Sequence, residues 1–324
     1  MTDPSDDDIM DTVDQFIKVA REKALDEARK AHPPGKAGKS PTDEQAEKIE
    51  TGVEAVKTRF KELLTPHPDD FDTMIETMRT VESVFGTHAA AEDLGAGPKA
   101  LGGSEDLAML DTAKSLLQNW DGELKNGLVD NYLAPMYPAM TCTQGNLARF
   151  LRQSGELMRK VYVRRRTDAK KVAEDSITAI EAIDDCKGGD FTAVLRAVLG
   201  TPVGDLASVM SGGAALTSTL TSTAAGMGSA MDGEFIQGDK ELPLGGDTVE
   251  AVVYNMYDVL NESDKTMKDE ETAIIKAIRA IEELTYPMVL GSKAGKGNEL
   301  VPPRPGIVNA SQSEVADGLT VYGD

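Results

Sequence analysis

Hydrophobic residues recur at spacings of three and four positions through much of the chain, which is the repeat of an amphipathic α-helix. In the first third, this pattern predicts a helix after Ser5, a second from about Thr42 and a third through Met74–Phe85. Ser5 is a suitable N-cap, because acidic residues follow it in the first turn, where the helix dipole favours negative charge. Pro-containing segments at 32–41 and 66–68 separate these helices.

Two longer helical patterns follow in the second half of the chain. From about Met140 to Ile183 there is no Pro, and one apolar stripe continues for about 45 residues, which would make a helix about 68 Å long. A further strong pattern spans about 247–284 and is expected to end at Pro287 and Gly291. No segment shows convincing strand alternation. We therefore predict an all-α fold without a sheet. Because a long helix needs a long partner to cover its apolar stripe, we expect this fold to be an elongated helical bundle.

Changes in composition divide the chain into five parts. In chain order these are N-terminal helices (1–103), a helical hairpin (104–187), a linker or set of helices rich in small residues (188–246), a C-terminal helix (247–290) and an extended tail (291–324). The Ala- and Gly-rich stretch 206–231 suits either a close subunit contact or a flexible lid, and its composition does not decide between them.

The charge of the chain restricts its partners. It has 34 Lys+Arg against 55 Asp+Glu, which gives a net charge of −21. This argues against non-specific binding to nucleic acid and against adsorption to anionic lipid, because both require a cationic surface. No apolar run approaches about 20 residues, so we expect no transmembrane span. The N-terminus is acidic, unlike the basic start of a Sec signal, so any export is expected to use another route.

One short motif suggests a metal. Pro66-His67-Pro68-Asp69-Asp70 resembles the metal-binding motif of the zinc deacetylases that carry a His-Pro-Asp-Asp signature, where it ends a strand and needs further His ligands. Here it follows a helix, and only His32 and His88 remain in the chain, both in predicted loops. We therefore expect a Pro-rich turn in which Asp69 or Asp70 caps the third helix, and no metal.

The other reactive residues give little support for catalysis. Cys142 and Cys186 are expected to be free thiols, because about 60 Å of continuous helix would separate them and a disulfide needs Cα atoms within about 7 Å. No Gly-rich phosphate loop, paired-carboxylate motif or serine elbow occurs in the sequence. We therefore predict no enzymatic activity and no cofactor.

A run of basic residues stands out in this acidic chain. Between positions 149 and 171 there are nine basic residues against Glu156 and Asp168, a local charge of +7. The plain interpretation is a solvated helix face. The alternative is a docking surface for an acidic partner, such as the Asp-rich N-terminus of this or a neighbouring subunit. We define the basic face as Arg159, Lys160, Arg164, Arg165, Arg166, Lys170 and Lys171.

A helical pattern, then Trp120-Asp121-Gly122, then a second helical pattern resembles the WXG/ESX superfamily of type VII secretion substrates. In that family the motif forms the tight turn of a helical hairpin, and its Gly supplies turn conformations that a Cβ would hinder. About a hundred residues of helix precede the motif and a long helix follows, as in the PE/PPE-type relatives. Tyr254 and Asp258 match the Tyr-x-x-x-acid element of the family's export signal. The resemblance itself covers about 70–185.

The resemblance implies a secreted, non-enzymatic protein that acts by protein binding or self-assembly, with Trp120 and Gly122 shaping the hairpin end that the export machinery reads. The alternative is a cytoplasmic or particle-associated structural protein, such as a phage scaffold, in which the Trp-Asp-Gly turn is incidental. A third interpretation is a helical enzyme or toxin, which would need a buried cluster of titratable groups with displaced pKa values.

Overall fold

The computed structural model shows a helical protein. It describes residues 3–31, 43–85, 87–88, 100–101, 105–117, 126–134, 136, 144–184 and 244–290. Helices make up 92% of this part of the chain, which confirms the prediction of an all-α fold. The strand pairing within the described residues is limited to a two-residue antiparallel contact of β1 (Thr87–His88) with β2 (Ala100–Leu101).

The described residues form six α-helices. These are α1 (Asp6–Ala31), α2 (Asp43–Leu63), α3 (Asp72–Phe85), α4 (Glu105–Leu117), α5 (Gly145–Glu181) and α6 (Val249–Leu290). A 3-10 turn at Pro68–Phe71 precedes α3, another at Ala182–Asp184 follows α5, and Asn126–Leu133 is π-helical. Among these described helices, none is both long enough and apolar enough to cross a bilayer.

The start of α1 confirms the predicted N-cap. The Ser5 hydroxyl accepts a hydrogen bond from the backbone N–H of Asp8 at 3.1 Å, and the Asp8 carboxylate accepts one from the N–H of Ser5 at 3.2 Å. This reciprocal pair is a capping box, which satisfies two backbone donors that a helix end otherwise leaves unpaired. The hydrogen bonds from Ser5 also hold the pKa of Asp8 below its usual value.

The C-terminal helix continues past Pro287. Of the two residues expected to end it, Pro287 lies in its last turn and Gly291 follows its last residue, Leu290. A proline in the last turn removes only one backbone hydrogen bond, and the preceding turns are fixed by packing of Ala277 and Ile281 in a core. That packing outweighs the local helix-breaking tendency.

The chain divides into two compact units. The described residues of unit 1 lie within 3–70, 158–184 and 244–272, and those of unit 2 lie within 71–157 and 273–290. Helices α5 and α6 each contribute one part to each unit. Each unit therefore combines segments that are far apart in the sequence.

Unit 1 has a core shared by α1, α2, α5 and α6. Each of these helices presents an apolar stripe to the others, the arrangement expected when helices pack around one core. Full burial of a large apolar side chain stabilises a fold by about 1.5–3 kcal/mol. The large side chains at its centre are Ile9, Phe16, Phe60, Leu63, Ile180, Leu244, Met256 and Leu260.

Unit 2 packs the first turns of α5 against the last part of α6 and against α3. Phe150 of α5 forms a small core with Ala277 and Ile281 of α6. Gly155 lets α3 approach α5 closely, because a Cβ placed there would lie 2.4 Å from Met74 Cε and 3.0 Å from Ile75 Cγ1. The absence of a side chain at position 155 therefore sets this helix spacing.

Candidate interaction site and buried charges

Several predicted features lie outside the described residues. These are the Trp120-Asp121-Gly122 turn, Cys142, Cys186, the small-residue segment up to position 243 and the tail 291–324. What the sequence implies about them stays a prediction.

Tyr254 and Asp258 lie one turn apart on the outer face of α6. Both side chains are solvent-exposed, and Tyr254 is 66% exposed. Residues four positions apart share a helix face, so the phenol and the carboxylate are presented together. The opposite face of the same turns, with Val252 and Met256, is fully buried in the unit 1 core. The helix is thus held rigidly by one face while it presents the other to solvent.

The basic face is not one solvated surface. Lys160 and Lys171 are exposed, as the plain interpretation expects. However, Arg165 and Arg166 are buried, and Arg166 is only 1% exposed. They lie in register with the apolar stripe of α5, one turn from Val161 and Ala169, so the helix rotation that buries the stripe buries them too. Buried guanidinium groups need anionic partners.

Arg166 finds its partners in the chain's own N-terminus. Its Nε donates to Asp3 Oδ1 at 3.0 Å, and its Nη2 donates to the carbonyl oxygen of Pro4 at 2.9 Å. Asp6 Oδ1 lies 2.5 Å from the same Nη2. The sequence allows an acidic partner from this chain or from a neighbouring subunit. Arg166 contacts the N-terminus of its own chain.

Arg165 is held by α6 and by the turn after α2. Its Nη2 donates to Asp264 Oδ1 at 2.8 Å and its Nη1 to the carbonyl oxygen of Thr65 at 3.0 Å. Burial alone would raise the pKa of Asp264. The hydrogen bond from Lys268 and the positive charges of Arg165 and Arg59 outweigh burial and lower that pKa below its usual value. Asp264 is therefore an ionised partner at neutral pH.

Arg164 belongs to a different arrangement, which we call the acid cluster and define as Arg164, Asp168 and Glu270. Glu270 is 2% exposed and accepts a hydrogen bond from Arg164. Burial raises the pKa of Glu270 to about 7; Arg164 opposes this shift and Asp168 adds to it. Burial likewise raises the pKa of Asp168 to about 6, against the charges of Arg164 and Lys171. Near neutral pH this cluster binds a proton that ordinary carboxylates would have lost.

Unit 1 also contains an apolar pocket of about 500 Å³ between α1, α2 and the start of α6. Its walls include Phe16, Val53 and Val253, and Glu250 lies among its few polar lining residues. Glu27, also in the lining, accepts a hydrogen bond from the N–H of Val249 at 3.3 Å and so helps to cap α6. A pocket of this size and character can accommodate an apolar side chain or a small ligand.

The His-Pro-Asp-Asp sequence forms a turn. The backbone N–H of His67 donates to Asp70 Oδ2 at 2.9 Å, and the N–H of Asp69 donates to His67 Nδ1 at 3.2 Å. Asp70 thus caps this turn, whereas the prediction has Asp69 or Asp70 capping α3, which begins at Asp72. Among the described residues there is no group of three or more His, Cys, Asp or Glu placed to hold a metal ion.

The sequence interpretation missed the acidic members of the buried network. Asp264 and Glu270 occur at the positions of the α6 stripe that otherwise hold Leu260, Met267 and Ile274. An acid in register with a buried stripe is the signal that would have revealed them. The acid cluster meets one condition for catalysis, displaced pKa values, but none of its members lines the described pocket.

The chain was compared with models of protein families, with curated proteins and with solved structures, and no match was found in any of the three comparisons.

Proposed function

We propose that this is a non-enzymatic helical protein that acts by binding a protein partner, in the manner of the type VII secretion substrates whose motifs it resembles. The observation that carries the proposal is the exposed pair Tyr254 and Asp258 on α6. The resemblance implies that these two residues form half of an export signal. A receptor can read such a signal only if both side chains are accessible on one face, as they are here.

The surroundings of this pair also suit a protein partner. Glu250, one turn before Tyr254, lies in the lining of the apolar pocket, together with Val249 and Val253. A partner that contacts the phenol of Tyr254 therefore has an apolar recess within one helical turn. Exposed tyrosine beside an apolar pocket is a common composition of protein-binding surfaces, because the ring buries a large area at little entropic cost. The net charge of −21 favours a partner with a basic surface.

An export assay tests the proposal. The chain and its variants Tyr254→Ala and Asp258→Asn are expressed in cells that carry a type VII export system, and the protein is quantified in the culture medium and in the cells. Tyr286→Ala is the matched control, since Tyr286 lies on the same helix and is 62% exposed. We expect the first two variants to accumulate in the cells while wild type and Tyr286→Ala reach the medium. Equal export of all four, or no export of wild type, would refute the proposal.

A structural role in a particle is the second candidate, and exposed apolar side chains on α4 favour it. Met109 and Leu116 lie two turns apart on that helix and are both exposed. Such a stripe suits self-association. Light scattering after size-exclusion chromatography checks this: we expect a large assembly that dissociates in the variant Met109→Ser/Leu116→Ser. A wild-type monomer at all accessible concentrations would exclude this candidate.

A further inference from the structure

The acid cluster of unit 1 joins α5 to α6 through two carboxyl groups and one guanidinium group. Arg164 and Asp168 lie one turn apart on α5, and Glu270 faces them from α6. We propose that this contact is a proton-controlled latch, which pairs the two helices tightly while the acid cluster holds a proton and loosens them when the proton leaves. The proposal is independent of export or of any partner.

One oxygen of the Glu270 carboxylate lacks a hydrogen bond among the described residues. Glu270 uses one oxygen to accept a hydrogen bond from Arg164, whereas its Oε1 has no hydrogen-bond partner among the described residues. A buried carboxylate with an unpaired oxygen is strongly disfavoured, because it has lost the water that would hydrate it. Protonation removes the charge, and a neutral carboxyl group loses less by being buried away from water. The proton is therefore part of the stable arrangement.

The other charges around the acid cluster do not compensate for its second carboxyl group. Glu270 is acted on by Arg164 and Asp168 from α5 and by Asp269 on its own helix. Asp168 is acted on by Arg164 and by the exposed Lys171. Two neighbouring contacts between the same helices have their own partners: Tyr162 with Glu271, and Arg165 with Asp264. One partly buried guanidinium therefore lies beside two carboxyl groups, and the further charge that acts on Glu270 from α6, that of Asp269, is negative.

The pKa values support this assignment and place the transition near neutrality. Burial raises the pKa of Glu270 to about 7 from 4.5, so the folded state binds a proton that the unfolded chain has lost. Stability from this group is present in full below about pH 4.5 and is lost as the pH rises through about 7. Asp264 behaves in the opposite way, because its pKa is lowered and it stays ionised throughout this range. It provides an internal control on the same helix.

Thermal unfolding of the full chain at pH 5 and pH 8 tests the latch. Three proteins are compared: wild type, Glu270→Gln and Asp264→Asn. Glutamine resembles the protonated acid, so we expect Glu270→Gln to match wild type at pH 5. At pH 8 we expect it to unfold at a higher temperature than wild type, by roughly 5 °C. Asp264→Asn should unfold at a lower temperature than wild type at both pH values.

The opposite sign would overturn the proposal. If Glu270→Gln is less stable than wild type at pH 8, the carboxylate is an ionised salt-bridge partner and no latch exists. If the unfolding temperature of the variant changes with pH as that of wild type does, Glu270 does not titrate in this range. Should the variant fail to fold, carbon-13 NMR of labelled Glu carboxyl groups in wild type decides: one resonance with a midpoint near pH 7 supports the latch, and completion of all titrations below pH 6 overturns it.

Amide hydrogen exchange tests whether α5 and α6 loosen when the proton leaves. After correction for the intrinsic pH dependence, we expect faster exchange at pH 8 than at pH 5 in residues 158–181 and 249–272, and a smaller difference in Glu270→Gln. Equal corrected rates at both pH values in wild type would overturn the loosening of the helices.

Discussion

The ion pairs between Arg166 and the N-terminus can be broken from either side, and we expect the two ways to destabilise the fold by different amounts. One perturbation replaces Arg166 with methionine, and the other replaces its two anionic partners together, as Asp3→Asn/Asp6→Asn. Both remove the same ion pairs. They differ in what they leave behind: the first leaves two carboxylates, and the second leaves a guanidinium that is 1% exposed in the folded chain.

The structure sets the relative magnitudes. Asp3 is 26% exposed and Asp6 is 54% exposed, so both regain water when Arg166 is absent, and methionine fills much of the vacated volume. We therefore expect Arg166→Met to change the free energy of unfolding by about 1 kcal/mol or less. Removal of the acids leaves a buried charge with the Pro4 carbonyl as its remaining N-terminal acceptor. Loss of one partner of a buried pair costs about 3–5 kcal/mol, and the exposure of these acids reduces our expectation to about 2 kcal/mol.

Urea unfolding followed by circular dichroism measures the difference. Asp7→Asn is the control, because Asp7 is an exposed acid in the same first turn and its loss removes only the favourable interaction with the helix dipole. We expect the order of stability to be wild type, then Arg166→Met close to it, then the double variant well below. If Arg166→Met is as destabilised as the double variant, the asymmetry argument from burial is wrong.

Two further predictions concern single residues. Gly52→Ala should stabilise the chain by about 0.5–1 kcal/mol, since a Cβ there meets nothing within 4 Å, whereas Gly155→Ala should destabilise it by about 1 kcal/mol because Ile75 and Met74 must move. Urea unfolding of both variants checks this, and shifts in the same direction would contradict it. Ser5→Ala should cost about 1 kcal/mol, because it removes the hydroxyl that accepts a hydrogen bond from the N–H of Asp8; the bond from the N–H of residue 5 to the Asp8 carboxylate stays. That difference should shrink in acid, where Asp8 is protonated; a difference that persists unchanged would show that the cap does not depend on the carboxylate.

Local sequence determined the helices well. The apolar repeat and the acidic first turn were enough to predict α1 and its cap at Ser5, because both act within a few residues. Pro287 and Gly291 are local signals for the end of α6, and the helix ends between them, at Leu290. The pattern therefore predicts where these helices lie better than which distant residues they contact.

The buried charges could not be placed from sequence alone. A run of arginines looks the same whether the helix face is solvated or packed, and the partners of Arg166 and Arg165 are 163 and 99 residues away in sequence. The raised pKa of Glu270 depends on burial by another helix and on Asp168 from that helix. Sequence register indicates that such residues are buried, but only the fold identifies the partner that each one meets.

The sharing of α6 between the two units has a consequence for how the chain is made. The core of unit 1 needs Leu260 and that of unit 2 needs Ile281, so neither core can close until the last described helix has left the ribosome. At about 5–20 residues per second, roughly 11–46 s separate the completion of α1 from the arrival of Leu260. During that interval the apolar stripes of α1 and α2 lack their final partner. Nascent chains of this protein should therefore depend on cellular chaperones more than their final stability would suggest.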